Sequence, residues 1–130
     1  MDVVDTNILA RYFLDDDHEQ SPRARAILMH GAFVSNSVLL ETAWLLQSRY
    51  NQSPKAISSA FLALISMPDV VVSDLALLSW ALTRYADGAD VGDMLHLVEA
   101  AGHDCFLTFD RKLAKQAGDA TPIHVKDAGK

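Results

Sequence analysis

Cysteine is nearly absent from the 130-residue chain. The single thiol, Cys105, excludes an intramolecular disulfide framework and a cysteine-based zinc cluster. It sits in the apolar run Cys105-Phe106-Leu107 and is expected to be buried and unreactive. Long hydrophobic runs are also missing: none approaches the roughly 18–20 residues of a membrane span. The N-terminus has no basic segment leading into an apolar core, so no secretory signal is expected. These features suit a cytoplasmic protein. No glycine-rich phosphate loop is present, which argues against nucleotide binding of the P-loop or dinucleotide type. Positive charge is scarce: 11 Lys and Arg stand against 17 Asp and Glu, a net charge of −6. That balance argues against strong nonspecific binding to nucleic acid through a basic surface. A nucleic-acid substrate stays possible, because divalent cations bound by clustered acids invert the local field.

What is present is a globular composition, with 50% hydrophobic residues in a length that suits one domain with a real core. Short apolar runs alternate with helical patterns. Strands are expected at Asp2–Val4, Ala32–Val34, Val70–Val72 and Cys105–Thr108, with a last one at Ile123–Val125. Helices are expected at about Thr6–Leu14, from Ser21-Pro22 to Met29, at Val38–Tyr50, Lys55–Ser66, from a Ser73 or Asp74 cap to Tyr85, at Val91–Ala101, and from Asp110 to Gln116. Ser21-Pro22 and Ser53-Pro54 each read as an N-cap followed by proline at the first helical position. Asp15-Asp16-Asp17-His18-Glu19 reads as a solvated turn. The alternation implies an α/β fold with a short-stranded parallel sheet covered by helices on both faces.

Most of the acids are ordinary surface groups, but five ask for an explanation. Glu41 lies in an apolar helix, with Val38, Trp44 and Leu45 as its same-face neighbours, so its stem is expected against a buried face. A buried carboxylate needs a cation or a strong donor, and an Arg or Lys partner is the ordinary alternative. Asp90 and Asp93 share one side of the first turn of a helix, where Asp90 also reads as an N-cap. Asp5 and Asp110 each follow a strand and precede a helix; alone, each reads as a cap. Both follow strands expected to be parallel, which sends them to one edge of the sheet, where ligands bind in open α/β folds. Glu41 and Asp93 start on that same side. Four facing carboxylates repel one another unless protonated or bound to divalent metal, and an all-oxygen set points to Mg²⁺ or Mn²⁺ rather than zinc.

The ordered set Asp5-Thr6-Asn7-Ile8-Leu9, Leu40-Glu41, Ala89-Asp90-Val91-Gly92-Asp93-Met94-Leu95-His96 and Leu107-Thr108-Phe109-Asp110-Arg111 resembles PIN-domain ribonucleases, specifically VapC-type toxins. The resemblance covers nearly the whole chain. It implies a three-layer α/β/α PIN-like sandwich and endoribonuclease activity dependent on Mg²⁺ or Mn²⁺, with one or two ions. It also implies a homodimer and inhibition by a small antitoxin. The family's acidic set maps onto Asp5, Glu41, Asp93 and Asp110, with Asp90 as an additional acid. Thr6 and Thr108 match hydroxyl positions beside the site, and Asn7 matches the N-terminal motif. Val91-Gly92 departs from the pattern, since bulkier residues or Ala are common between the paired acids.

Around this set, Arg11, Arg111 and Lys112 are candidates for RNA phosphate contacts at the rim, or ordinary exposed helix charges. His96 is read chiefly as a packing histidine. Trp44, Trp80 and Phe61 are read as core or dimer contacts rather than base-stacking platforms. Ala60, Phe61, Leu64 and Ile65 are candidates for a dimer or antitoxin surface. Two other functions compete. A phosphotransfer domain of the haloacid-dehalogenase type wants a second Asp two residues after the first, where this chain has Asn7. A receiver domain wants an Asp on a central strand, and Val34 and Val72 end theirs without one. A PIN-type RNA-processing nuclease without an antitoxin is the nearer alternative, with the compact length favouring the toxin.

Overall fold

A computed structural model describes residues 1–130. The elements run β1 (Asp2–Val3), α1 (Thr6–Leu14), α2 (Gln20–His30), β2 (Ala32–Phe33), α3 (Asn36–Tyr50), α4 (Pro54–Ile65), β3 (Val70–Val71), α5 (Leu75–Ala86), α6 (Val91–Ala100), β4 (Phe106–Thr108), α7 (Leu113–Ala117) and β5 (Val125–Asp127). Every strand pairing is parallel, as the alternation of strands and helices requires. Hydrogen bonding divides the strands into β1-β2-β3 and β4-β5. No helix is long and apolar enough to cross a membrane.

Helix starts follow from capping chemistry. Ser35, Ser53, Asp74 and Asp90 each turn a side-chain oxygen onto a backbone N–H of the first turn, which satisfies a donor that the helix itself leaves unpaired. The second helix differs from its expected start. Ser21 is not its cap but lies inside α2, buried, and its hydroxyl donates to the Arg11 carbonyl at 2.7 Å. Asp17 does the capping, accepting from the N–H groups of Glu19 and Gln20 at 2.9 and 2.7 Å. Those two bonds, Gln20 first, hold the Asp17 carboxyl below its usual range. α3 begins two residues before the expected Val38, α7 begins at Leu113 rather than Asp110, and the last strand falls at Val125–Asp127 rather than Ile123–Val125.

One cluster of 26 buried residues forms the core. Leu9, Leu28, Val34, Leu39, Leu46, Phe61, Leu78 and Met94 are among its fully buried side chains. Phe61, Leu64 and Ile65 therefore do not form an exposed dimer or antitoxin surface. They are packed inside this chain, with the Phe61 ring stacked on Phe13 at 5.2 Å. Cys105 is only half-buried, on the short approach to β4.

α3 and α6 set the frame for the acids. They pack antiparallel: the Asn36 amide near the start of α3 donates to Glu99 near the end of α6 at 2.6 Å. Further along α3, Leu40 and Trp44 face Gly92 in the first turn of α6. Asn36 is buried, and its carbonyl oxygen accepts from Ser73 just after β3. This polar clasp fixes the register of the two helices.

Candidate active site

Each acid is placed by a local device. Asp5 ends the approach from β1 and caps α1, its Oδ1 accepting from the Ile8 N–H at 3.1 Å. Asp90 caps α6, its Oδ1 accepting from the Asp93 N–H at 2.8 Å. Asp110 closes the turn after β4 by accepting from the Lys112 N–H at 2.9 Å. Its own N–H donates to the Thr108 hydroxyl at 3.0 Å, so Thr108 steadies that turn. The cap readings of Asp5 and Asp90 thus hold. A cap occupies one lone pair of one carboxylate oxygen and leaves the second oxygen available.

Glu41 corrects the expectation of burial. It is exposed, and none of the chain's ion pairs, Arg11–Asp16, His18–Glu19 and Arg25–Asp15, involves it. The core face of α3 is Leu39, Thr42, Ala43 and Leu46. Glu41 stands beside that face, between the half-buried Val38 and Leu45. With Asp5, Thr6 and Asn7 these residues line an open cleft of about 510 Å³.

The second group of acids is crowded. Asp93 is half-buried in the first turn of α6. Desolvation first, then the charges of Asp90 and Asp110, push its carboxyl above the usual range, while His96 pulls the other way. His96 is exposed rather than a packing residue. The helix frame relates the two groups. With Asn36 opposite Glu99, and Leu40 and Trp44 opposite Gly92, the antiparallel register sets Glu41 level with Asp93 and Met94.

No three His, Cys, Asp or Glu side chains are drawn together tightly enough to hold a metal ion. One reason is topological. Asp5 follows a strand of the three-stranded group and Asp110 a strand of the two-stranded group, and no backbone hydrogen bonds tie the two groups edge to edge. The donor set itself fits a hard divalent cation, being all carboxylate, with Asp93 facing like charges. The profile of the PIN-domain family matches residues 3–119. The chain belongs to the PIN-domain family. PIN domains are generally metal-dependent nucleases, and the family accounts for the short parallel strands among seven helices. No curated protein and no solved structure matches the chain significantly.

Other PIN-motif positions fall near these acids. Thr6 and Asn7 line the Asp5–Glu41 cleft. Arg11 is half-buried and paired with Asp16 at 2.9 Å, while Arg111 and Lys112 are exposed beside Asp110. Arg23 was not legible from the sequence, because nothing in helix periodicity singles it out. It joins Arg11, Asn7 and Asp5 around a smaller recess of about 280 Å³. Trp44 is 52% exposed and so is not a core residue, and Trp80 is half-buried with its Nε1 lacking an acceptor.

Proposed function

We propose that this PIN domain is a divalent-metal-dependent endoribonuclease that hydrolyses RNA phosphodiester bonds. The observation that carries the reading is the register of α3 against α6. It sets the unpaired Glu41, which shares a cleft with Asp5, level with Asp93, whose carboxyl feels the charges of Asp90 and Asp110. Asp5, Glu41, Asp93 and Asp110 are the residues proposed to hold Mg²⁺ or Mn²⁺, as one or two ions, with Asp90 in support. The ion, when bound, lowers the pKa of a water and offsets charge on the phosphate.

The chain's own groups do the rest. A carboxylate of the set accepts the proton of the attacking water. Thr108 keeps the Asp110 turn in place through its bond to the Asp110 N–H. Thr6 and Asn7 bound the cleft over which the phosphate lies. Arg11, Arg111 and Lys112 at the rim contact neighbouring phosphates. The attacking group is water rather than a side chain or the RNA 2′-hydroxyl, and the P–O3′ bond breaks with the 3′-oxygen leaving, so the products carry a 5′-phosphate and a 3′-hydroxyl.

The motif set that resembles VapC-type toxins supports a further assignment, the toxin of a toxin–antitoxin pair. In that role the protein acts as a homodimer, in the cytoplasm, under a small antitoxin. A basic side chain of the antitoxin would enter among the acids and replace the cation's charge. The test is RNA cleavage by the purified protein with Mg²⁺ or Mn²⁺, with EDTA and Glu41→Gln as controls. Cleavage that needs the cation and fails in Glu41→Gln is the expected result. Cleavage in EDTA, or undiminished cleavage by Glu41→Gln, would overturn the mechanism. Co-purification of a small partner from the native host separates the toxin role from RNA processing.

A further inference from the structure

A cavity larger than the Asp5–Glu41 cleft lies elsewhere in the molecule. It is an open pocket of about 660 Å³ walled by the ends of α3 and α5, the start of α6 and the side of α7. Its lining combines one aromatic plane with fixed polar groups: Trp44, Gln47, Tyr85, Asp90 and Gln116. Trp44 is a large apolar ring left half exposed on α3. Its ring edge lies against the first turn of α6, where a Cβ at Gly92 would be 3.6 Å from Trp44 Cζ2 and 3.1 Å from Asp90 Oδ1. The ring therefore stands beside one of the acids.

The polar groups are anchored rather than loose. The Tyr85 hydroxyl donates to Gln47 Oε1 at 2.7 Å, leaving the Gln47 amide N–H₂ as a donor. The Gln116 backbone carbonyl accepts from Arg84 Nε at 2.7 Å, which pins that residue at the end of α7. Its side-chain Oε1 is buried and accepts from nothing. A buried acceptor without a donor is costly, and a ligand N–H entering the pocket would satisfy it. An aromatic face flanked by an amide donor, an amide acceptor and a carboxylate suits a flat heteroaromatic ring with N–H groups on its edge. Nucleobases have that form: single-stranded RNA is bound by stacking bases on aromatic side chains and hydrogen bonding their edges.

We infer that the Trp44 pocket is a nucleobase subsite, in which the base next to the cleaved phosphate stacks on Trp44 and is read by Gln47 and Gln116. The subsite's place in an RNA chain rests on the nuclease reading above; its fit to a base does not. The test keeps the two apart. Trp80→Phe leaves Trp44 as the only tryptophan and removes an indole N–H that has no acceptor. Adenosine 5′-monophosphate is titrated into this variant in EDTA, so no cleavage enters the readout. Adenine is the probe because a glutamine amide can pair with its N6 and N7 edge.

Saturable quenching of Trp44 by the nucleotide, none by ribose 5-phosphate, and weakened quenching when Gln116→Ala is added are expected. In RNA cleavage, Trp44→Ala is expected to raise KM by roughly 10-fold or more, as loss of a stacked base does, while Trp44→Phe retains most of the wild-type value. No saturable change with the nucleotide, or equal change with ribose 5-phosphate, would overturn the subsite. So would a blue shift of Trp44 emission that follows protein concentration without nucleotide, because the pocket wall would then be a contact between copies. Base binding in EDTA without any cleavage of RNA would instead leave the subsite standing and remove the nuclease reading.

Discussion

The acids fall into two groups built on different principles. Asp90, Asp93 and Asp110 lie at a helix start and a strand end, where desolvation first and then the like charges of Asp90 and Asp110 push the Asp93 carboxyl up. Asp5 and Glu41 face each other across an open cleft, with Glu41 exposed and unpaired. The first group carries an electrostatic cost within the fold, while the second costs little because water reaches it. The contrast teaches that a carboxylate can be committed to a site by crowding or by mere position. Only crowding leaves a trace in stability.

Substitutions in the two groups should therefore separate activity from stability. Asp93→Asn is expected to have the largest effect, lowering kcat/KM by on the order of 100-fold or more, since loss of a mere outer partner of a metal ligand costs about 10- to 100-fold. The same change should raise the melting temperature at neutral pH. A carboxyl whose folded pKa is raised binds its proton more tightly in the fold, so stability from this group is full below the unfolded value of 3.8 and declines as pH climbs through the raised folded value. At pH 7 the ionised Asp93 opposes folding, and the neutral amide relieves it. A melting temperature below wild type for Asp93→Asn at pH 7 would contradict the crowding.

Glu41→Gln is expected to lower kcat/KM by about 10- to 100-fold, with stability held within about 0.5 kcal/mol in a urea titration, as for an exposed site. Asn36→Ala breaks the clasp that sets the two helices level. Loss of a buried, charge-assisted bond should cost about 1–3 kcal/mol in the same titration and lower activity only several-fold. Gly92→Ala is the smallest perturbation. A methyl there gains up to about 1 kcal/mol of helix propensity but meets Asp90 Oδ1 at 3.1 Å, pressing on the α6 cap. The two effects should cancel to within about 1 kcal/mol in a thermal melt.

Much of this arrangement is legible in the sequence, and the exceptions share a cause. Ser53-Pro54, Asp74 and Asp90 announce their helices because capping chemistry is local. Val70-Val71 and Ala32-Phe33 announce strands in the same way. The face of α3 is misread because Thr42 is fully buried, an option open to it once its hydroxyl donates to the Val38 carbonyl at 2.7 Å. A polar residue thus occupies the core face, and Glu41 and Trp44 turn outward. Ser21 and Asn36 follow the same rule, being polar, buried and satisfied by distant partners that no local pattern reveals. The acids at strand ends are visible in sequence. Their mutual placement depends on the α3–α6 register, which is set by long-range contacts.

The claim that both groups serve one cation is tested most directly by titrating Mn²⁺ into wild type, Glu41→Gln and Asp93→Asn, reading free Mn²⁺ by electron paramagnetic resonance. If the groups form one site, each substitution weakens the same binding event. Unchanged Mn²⁺ affinity in Glu41→Gln beside lost affinity in Asp93→Asn would show that the crowded acids bind the ion alone and that Glu41 lies outside the site.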